Sequence, residues 1–457
     1  MDLPMRRVSH FIQLLLLIAA LLVPFQAQPA FADDGLADIL GQKYGLFVHY
    51  VPGHTVNQDG VVVSDTNTLA NNFNTLQFAY DLAVAKVQYV IFTAWHSKMV
   101  ALWPSQKMLK WGLPNHRVDR DLIGDMIMAV KLHGIQVYLY THPRDGMEFS
   151  AADREKTGWG TQQPPTNEPY NPGADFDRPK WNSFINDIYQ EMMLRYGDFI
   201  DGLFIDEGSP KGDSQTVVDY PRLRNTIKTV SPCAVLIQNN YGNLYGLDQG
   251  MKEYGGWGEF SQPNENLWPA YAEPVAAIFT EHWWASSANR TLRYSAPSMF
   301  RYTILQAAIP SASGGVAWAT GPYANGGWEP GVMATLQQMG ALVSPIKESL
   351  FGTRPSTSYP TAAGTRIADL PWGVATRSPD NHTEYIHVLT PPASQTLVLP
   401  PPLDGRVFES ASMVMDDTPV VLSQDSKGLT LTIPGSWDAT HTVIRLTVDR
   451  CDGLLCL

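Results

Sequence analysis

From Gly45 to about Leu350 the chain alternates short apolar runs with longer stretches that repeat on a helical period. The apolar runs are Gly45–Val51, Val87–Ala94, Ile135–His142, Gly202–Ile205, Ala234–Gln238, Ala276–Thr280 and Gly315–Ala319. All are short and rich in β-branched or aromatic residues, the texture of strands covered on both faces. Between them, Leu76–Ala85 and Asp119–His133 carry apolar residues on a helical spacing, the second ending at Gly134. Pro179–Tyr196 does the same and stops at Gly197. Strand and helix in such alternation predict an α/β fold, a (β/α)8-like TIM-type barrel rather than an open sheet, with the eighth strand inferred from closure.

Beyond Leu350 the helical period vanishes. Glu384–Leu389, Gln395–Leu399, Thr418–Leu422 and Val443–Val448 alternate as strands. Pro400-Pro401-Pro402, Asp404-Gly405, Lys427-Gly428 and Pro434-Gly435 separate them with turn chemistry. This predicts a C-terminal antiparallel β-sandwich. The expected division is a barrel over 33–352 and a sandwich over 353–457.

Residues 1–32 are of another kind. Arg6-Arg7 precede an apolar run from Phe11 to Phe25, and Ala30-Phe31-Ala32 follows. A basic start, a short apolar stretch and an Ala-x-Ala site describe a cleavable secretory signal, cut after Ala32. The run is too short for a membrane anchor. The expectation is a secreted or periplasmic protein with no stable anchor once the signal is removed.

Composition narrows the partners. With 44% hydrophobic and 17% charged residues, the chain has a globular composition rather than a disordered one. Its net charge of −12, with no Lys/Arg block beyond short pairs, argues against nucleic acid, because neutralising phosphates needs a basic face. The 13 Trp and 19 Tyr tilt the balance towards carbohydrate, whose apolar faces stack on amphipathic rings. Of three cysteines, Cys451 and Cys456 are spaced to close a small loop in an oxidising compartment, and Cys233 is expected to be buried at a strand start. No Cys/His spacing resembles a zinc site, so neither metal nor cofactor is expected.

Polar chemistry collects where the strands end. Asp201-Gly-Leu-Phe-Ile-Asp206-Glu207 is a short buried strand opening into two carboxylates. Catalytic groups of (β/α) barrels occupy that position. Strand one ends in His49-Tyr50, strand two in Trp95-His96-Ser97, strand three in Tyr140-Thr141-His142, and strand five in Gln238-Asn239-Asn240-Tyr241. A single buried His is often structural, but three at one end of consecutive strands converge on a carboxylate. Imidazoles and phenols bind hydroxyls, and an indole packs a sugar's apolar face. The substrate-contact candidates are therefore His49, Trp95, His96, Tyr140 and Asn240.

At these residues the sequence resembles family 29 glycoside hydrolases, the α-L-fucosidases. Tyr44-Gly-Leu-Phe-Val-His49-Tyr50 looks like their first-strand motif, and Gln88 through His96 to Leu102-Trp103-Pro-Ser105 like their second-strand segment. The run Gly314 to Gly326, then Leu336 to Gly340 and Glu348 to Arg354, is similar to the end of that family's barrel. The resemblance covers essentially the whole chain after the signal. It implies a retaining mechanism with Asp206 as nucleophile. It also implies an acid/base carboxylate on a variable loop after strand five, where Glu253 stands first, Glu259 next and Glu281 third. Glu207, whose direction alternates with that of Asp206, is read as a substrate contact or a structural acid.

Departures from the family pattern are also visible. Trp95 stands where the first of two adjacent His is usual, Tyr50 and Phe204 replace Trp, and Asn239-Asn240 occupy a place where Arg is common. Such changes alter hydroxyl recognition more than hydrolysis. The reading is an exported exo-acting α-L-fucosidase. The alternatives are the same mechanism on α-L-galactose, or an inactive carbohydrate-binding barrel.

Overall fold

The computed structural model describes residues 41–162, 171–206, 216–239, 246–254, 264–280, 285–287, 292–309 and 315–448. Eight parallel strands form the barrel: β1 (Tyr44–Val48), β2 (Tyr89–His96), β3 (Gln136–Thr141), β4 (Gly202–Ile205), β5 (Val235–Asn239), β6 (Gln249–Tyr254), β7 (Val275–Ile278) and β8 (Val316–Ala319). Closure is explicit, since β1 pairs with β2 through Leu46↔Val90 and with β8 through Leu46↔Trp318. A two-residue strand, Val100–Ala101, folds back antiparallel on the end of β2.

Three helices sit where the period placed them, α1 (Thr75–Ala85), α2 (Leu122–Lys131) and α3 (Arg178–Tyr196), and the structure adds α4 (Tyr220–Val230), α5 (Ala296–Ala307) and α6 (Val332–Val343). Their starts are set locally. Asp121 accepts the Gly124 N–H at 3.0 Å to cap α2 and also bonds Tyr196 and Arg195 of α3, so one cap ties two helices. Further along α3, the buried Glu191 carboxylate gathers Trp103 Nε1, the Ser105 hydroxyl and the Gln106 N–H, the last at 2.7 Å. These three donors, with the Lys107 N–H at 3.4 Å as a fourth, hold the segment after β2 against the barrel wall.

The strand missing from the sequence pattern is β6. Gln249-Gly-Met-Lys-Glu-Tyr254 offers too few apolar residues to be read as a buried strand. In the structure Met251 faces the barrel interior, while Lys252 lies 5.3 Å over the Tyr271 ring outside. Cys233 also departs from expectation. It is exposed, because Pro232-Cys233 form a turn and β5 begins only at Val235.

After Leu350 all pairing is antiparallel. One sheet runs β9 (Arg354–Pro355), β10 (Gly373–Arg377), β11 (Thr383–Val388), β16 (Thr442–Val448), β13 (Phe408–Met413) in space, and a second runs β12 (Thr396–Leu399), β15 (Gly428–Thr432), β14 (Val421–Asp425). Between them lies a core of Ile386, Leu397, Leu399, Phe408, Leu429, Leu431 and Ile444. The sheet reaches the barrel through a buried histidine pair. His387 Nδ1 meets His441 Nε2 at 2.9 Å, the Thr376 hydroxyl and the Ser349 carbonyl approach His387 Nε2, and the His441 ring rests on Phe300 of α5. Among the described residues no helix is long and apolar enough to cross a membrane. The signal-like residues 1–32, Cys451 and Cys456 lie outside the described residues.

Candidate active site

Side chains on a strand alternate, so the barrel interior is countable from its core. Phe47, Tyr138, Tyr140, Phe204, Ile237 and Met251 form the inner cluster. Two residues further along each strand, the inward positions are His49, His142, Asp206, Asn239 and Glu253. They therefore converge above the core at the strands' C-terminal ends, the face that carries barrel active sites.

Asp206 is the focus. It is 7% exposed, with the Tyr140 hydroxyl donating to Oδ2 at 2.6 Å and Asn239 Nδ2 donating to Oδ1 at 3.1 Å. Burial, then the charges of Asp206 and Glu253, push the Tyr140 phenol well above its ordinary pKa, so it remains a donor. Glu253 had been expected on a loop. It belongs instead to β6, opposite Ala276 of β7, and its charge reaches the same phenol from across the barrel.

Trp95 is not brought in. The ladder between β2 and β3 shifts register between Thr93 and Trp95, which turns the indole outwards. There it packs against Phe184 and Tyr189 of α3 and donates to the Met99 carbonyl at 3.2 Å. The shift gives the inward place to His96, whose ring centroid lies 5.2 Å from Tyr140 and 5.4 Å from His49.

His96 also stacks on His142, 5.2 Å apart and 12° from parallel. His96 Nδ1 makes a short hydrogen bond to Asp145, and His142 Nδ1 lies 3.3 Å from the same carboxylate. The Arg144 N–H also donates to His142 Nδ1, at 3.3 Å. The two rings differ in proton affinity. Burial works to lower that of His96, but the charge and hydrogen bond of Asp145, then Asp206 and Glu148, bring it above the ordinary value. For His142 burial prevails over Asp145 and Asp206, and its pKa falls. Asp145, which burial would raise, is held below its ordinary value by His142 and His96. His49 is held well below its ordinary value by burial and then by His96, His142 and His54.

His96, His142 and Asp145 have potential ligand atoms within 4.8 Å of one another, as a metal site would. Ligands of one ion are kept apart by its radius, whereas His96 Nδ1 and Asp145 are in direct hydrogen-bond contact. The set is better described as a carboxylate bonded to His96, with His142 stacked on that ring and its Nδ1 accepting from Arg144.

Three contributors stand outside the candidates named from sequence: His142, Asn239 and Asp145. Asn239 bonds Asp206, and counting two residues from Ile237 along the strand points to it. Asp145 has no strand parity to reveal it, since it lies in the loop after β3. Glu207, Asn240, Glu259 and Glu281 lie outside the described residues. Chemically, two carboxylates, a phenol and several imidazoles at a barrel mouth suit a polyhydroxylated ligand with bond-breaking at one carbon.

Comparison with known proteins agrees with that chemistry. The family model for α-L-fucosidase matches residues 62–346. Among solved structures, the chain is similar to α-L-fucosidase isoenzyme 1 from Paenibacillus thiaminolyticus, at 18% identity and TM-score 0.65, covering 91% of this chain and 99% of that one. An α-L-fucosidase from Bacteroides thetaiotaomicron gives 15% identity and TM-score 0.67, covering 93% and 96%. The Thermotoga maritima α-fucosidase gives 13% and 0.56, covering 90% and 96%. At such identities these structures speak for the fold. No curated protein sequence matches the chain significantly.

Proposed function

This chain belongs to the α-L-fucosidase family, and from that premise we propose that it is a retaining exo-glycosidase releasing terminal α-L-fucose by double displacement. Membership makes it a glycoside hydrolase with a glycan substrate. The finer reading assigns Asp206 as nucleophile and Glu253 as acid/base. The observation that supports it is the buried Asp206 carboxylate, fixed through both oxygens by Tyr140 and Asn239, with Glu253 acting on the same phenol from β6.

In the first step Glu253 gives its proton to the glycosidic oxygen. The bond from that oxygen to the anomeric carbon breaks as an Asp206 oxygen bonds to the carbon. The leaving alcohol departs and a fucosyl ester remains. Glu253, now a carboxylate, takes a proton from water, whose oxygen attacks the same carbon and expels Asp206. Two inversions give net retention. Tyr140 and Asn239 orient the Asp206 oxygens so that one lone pair faces the sugar, and their bonds disperse its charge when it leaves. Export of the protein is supported by the signal-like pattern of residues 1–32.

The test is covalent trapping. Incubation with 2-fluoro-fucosyl fluoride and peptide mass spectrometry should place the adduct on Asp206. A label on any other carboxylate would overturn the assignment.

A further inference from the structure

The imidazole wall beside Asp206 holds more chemistry than hydrolysis by two carboxylates needs. Both rings turn their Nδ1 edges to one loop. His96 Nδ1 bonds Asp145, and His142 Nδ1 meets Asp145 and the Arg144 N–H at 3.3 Å each. An imidazole's Nε2 edge lies across the ring from that side, so both Nε2 edges point away from Asp145. The rings are nearly parallel, at 12°, so the two edges point the same way. His96 lies 5.2 Å from the Tyr140 ring, whose hydroxyl bonds Asp206, so the stacked pair stands beside that carboxylate.

We propose that His142 is a sugar-binding residue alongside His96, the two reading adjacent hydroxyls of the bound sugar, and that Asp145 is the positioning residue fixing both rings. The inference rests on the fucosidase reading above. His142 comes from β3, and its partner ring from β2. The register shift that removes Trp95 from the interior is what seats His96 against it.

Physical chemistry favours recognition over a purely structural role. A buried imidazole that only fills space needs one tautomer and one partner. Here a single carboxylate spans two rings, and the rings are driven to different protonation states. His96 is drawn towards the charged donor form by Asp145, Asp206 and Glu148, while His142 stays neutral under burial, with Arg144 adding to the effect. His49 and His54 also face this group, and each is lowered by burial and then by the charge of His96. A site built to hydrogen-bond a particular hydroxyl discriminates strongly against an analogue lacking it, because its buried polar group is then left without a partner.

The experiment is a cycle between variant and substrate on nitrophenyl α-L-fucoside and its 2-, 3- and 4-deoxy analogues. His142→Ala should lower kcat/KM on the parent about 10- to 100-fold. It should lose almost nothing more on the one deoxy analogue lacking the hydroxyl it reads. His96→Ala should show the same pattern at the neighbouring position. Asp145→Asn should weaken discrimination at both positions and move the alkaline limb of the pH profile to lower pH, since His96 loses the charge that holds its proton.

A His142→Ala loss equal on every analogue would overturn the proposal, as would an unchanged pH profile in Asp145→Asn. Stoichiometric metal in the purified protein, with activity lost to chelator, would overturn it in favour of an ion site. If the wild type neither cleaves nor binds the parent fucoside, the fucosidase reading fails and this proposal falls with it. An active wild type with flat variant patterns sinks this proposal alone.

Discussion

Two stacked histidine pairs in this protein have the same ring separation, 5.2 Å, and opposite chemistry. At the barrel mouth, His96 and His142 share the Asp145 carboxylate, and His96 is pushed above its ordinary pKa. Where the C-terminal sheet meets the barrel, His387 and His441 have each other, a hydroxyl and a carbonyl. There burial lowers His387 to about 4 and takes His441 well below its ordinary value. Stacking is common to both pairs, so it does not set their charge. A carboxylate bonded directly to the ring does so for His96, whereas His142, beside the same charge but without that bond, stays below its ordinary value like the seam rings. One pair is equipped to meet a ligand, and the other is built to stay neutral and hold two parts of the chain together.

The comparison breaks most easily at the carboxylate the mouth surrounds. Asp206→Ala should cut kcat on an aryl fucoside by about 10⁴-fold or more, with thermal unfolding little changed. A drop of only tenfold would mean that the mouth is not the reacting centre.

The next effect is one of pH at the seam. His387 has a folded pKa near 4 against 6.5 for the ordinary group, so the unfolded chain binds the proton more readily. Stability is therefore intact above pH ~6.5 and is lost progressively as pH falls towards 4, by up to about 3 kcal/mol. His96, with its raised value, contributes in the opposite sense, its share disappearing as pH rises through its folded pKa. Urea unfolding at several pH values should show the acid loss in the wild type. The same acid slope in a His387→Phe variant would remove His387 as its source.

A smaller change sharpens the structural side. His441→Leu keeps the volume but leaves His387 Nδ1 buried without its 2.9 Å partner. The cost should be about 1–3 kcal/mol in denaturant unfolding, with kcat/KM unchanged. Loss of turnover in a folded His441→Leu would show that the two pairs are not separate in function.

The two regions were unequally legible in the sequence. Barrel strands such as Gly202–Ile205 announce themselves because both faces are covered and the whole run is apolar. Strand β6 does not, since its inward face carries Glu253 at the site and its outward face carries Lys252 on an aromatic ring. The same chemistry that makes Glu253 useful hid the strand bearing it. In the sandwich, small and polar residues blur the alternation of β10 and β13, whereas β15 alternates as Leu429-Thr-Leu431-Thr yet has no counterpart among the strands expected from sequence. The Thr418–Leu422 expectation was displaced to β14, Val421–Asp425.

By itself the sequence determined the alternation of strand and helix, the change of texture after Leu350, and the carboxylate at the end of β4. Those follow from local patterns of two and 3.6 residues, which the chain carries whatever it packs against. Only the tertiary structure decided which polar side chains meet. It moved Trp95 outwards through one shift in register, brought Asn239 onto Asp206, and set Asp145 behind two imidazoles from different strands. Contacts between strands depend on register and barrel closure, and those are properties of the packed whole rather than of any stretch of the chain.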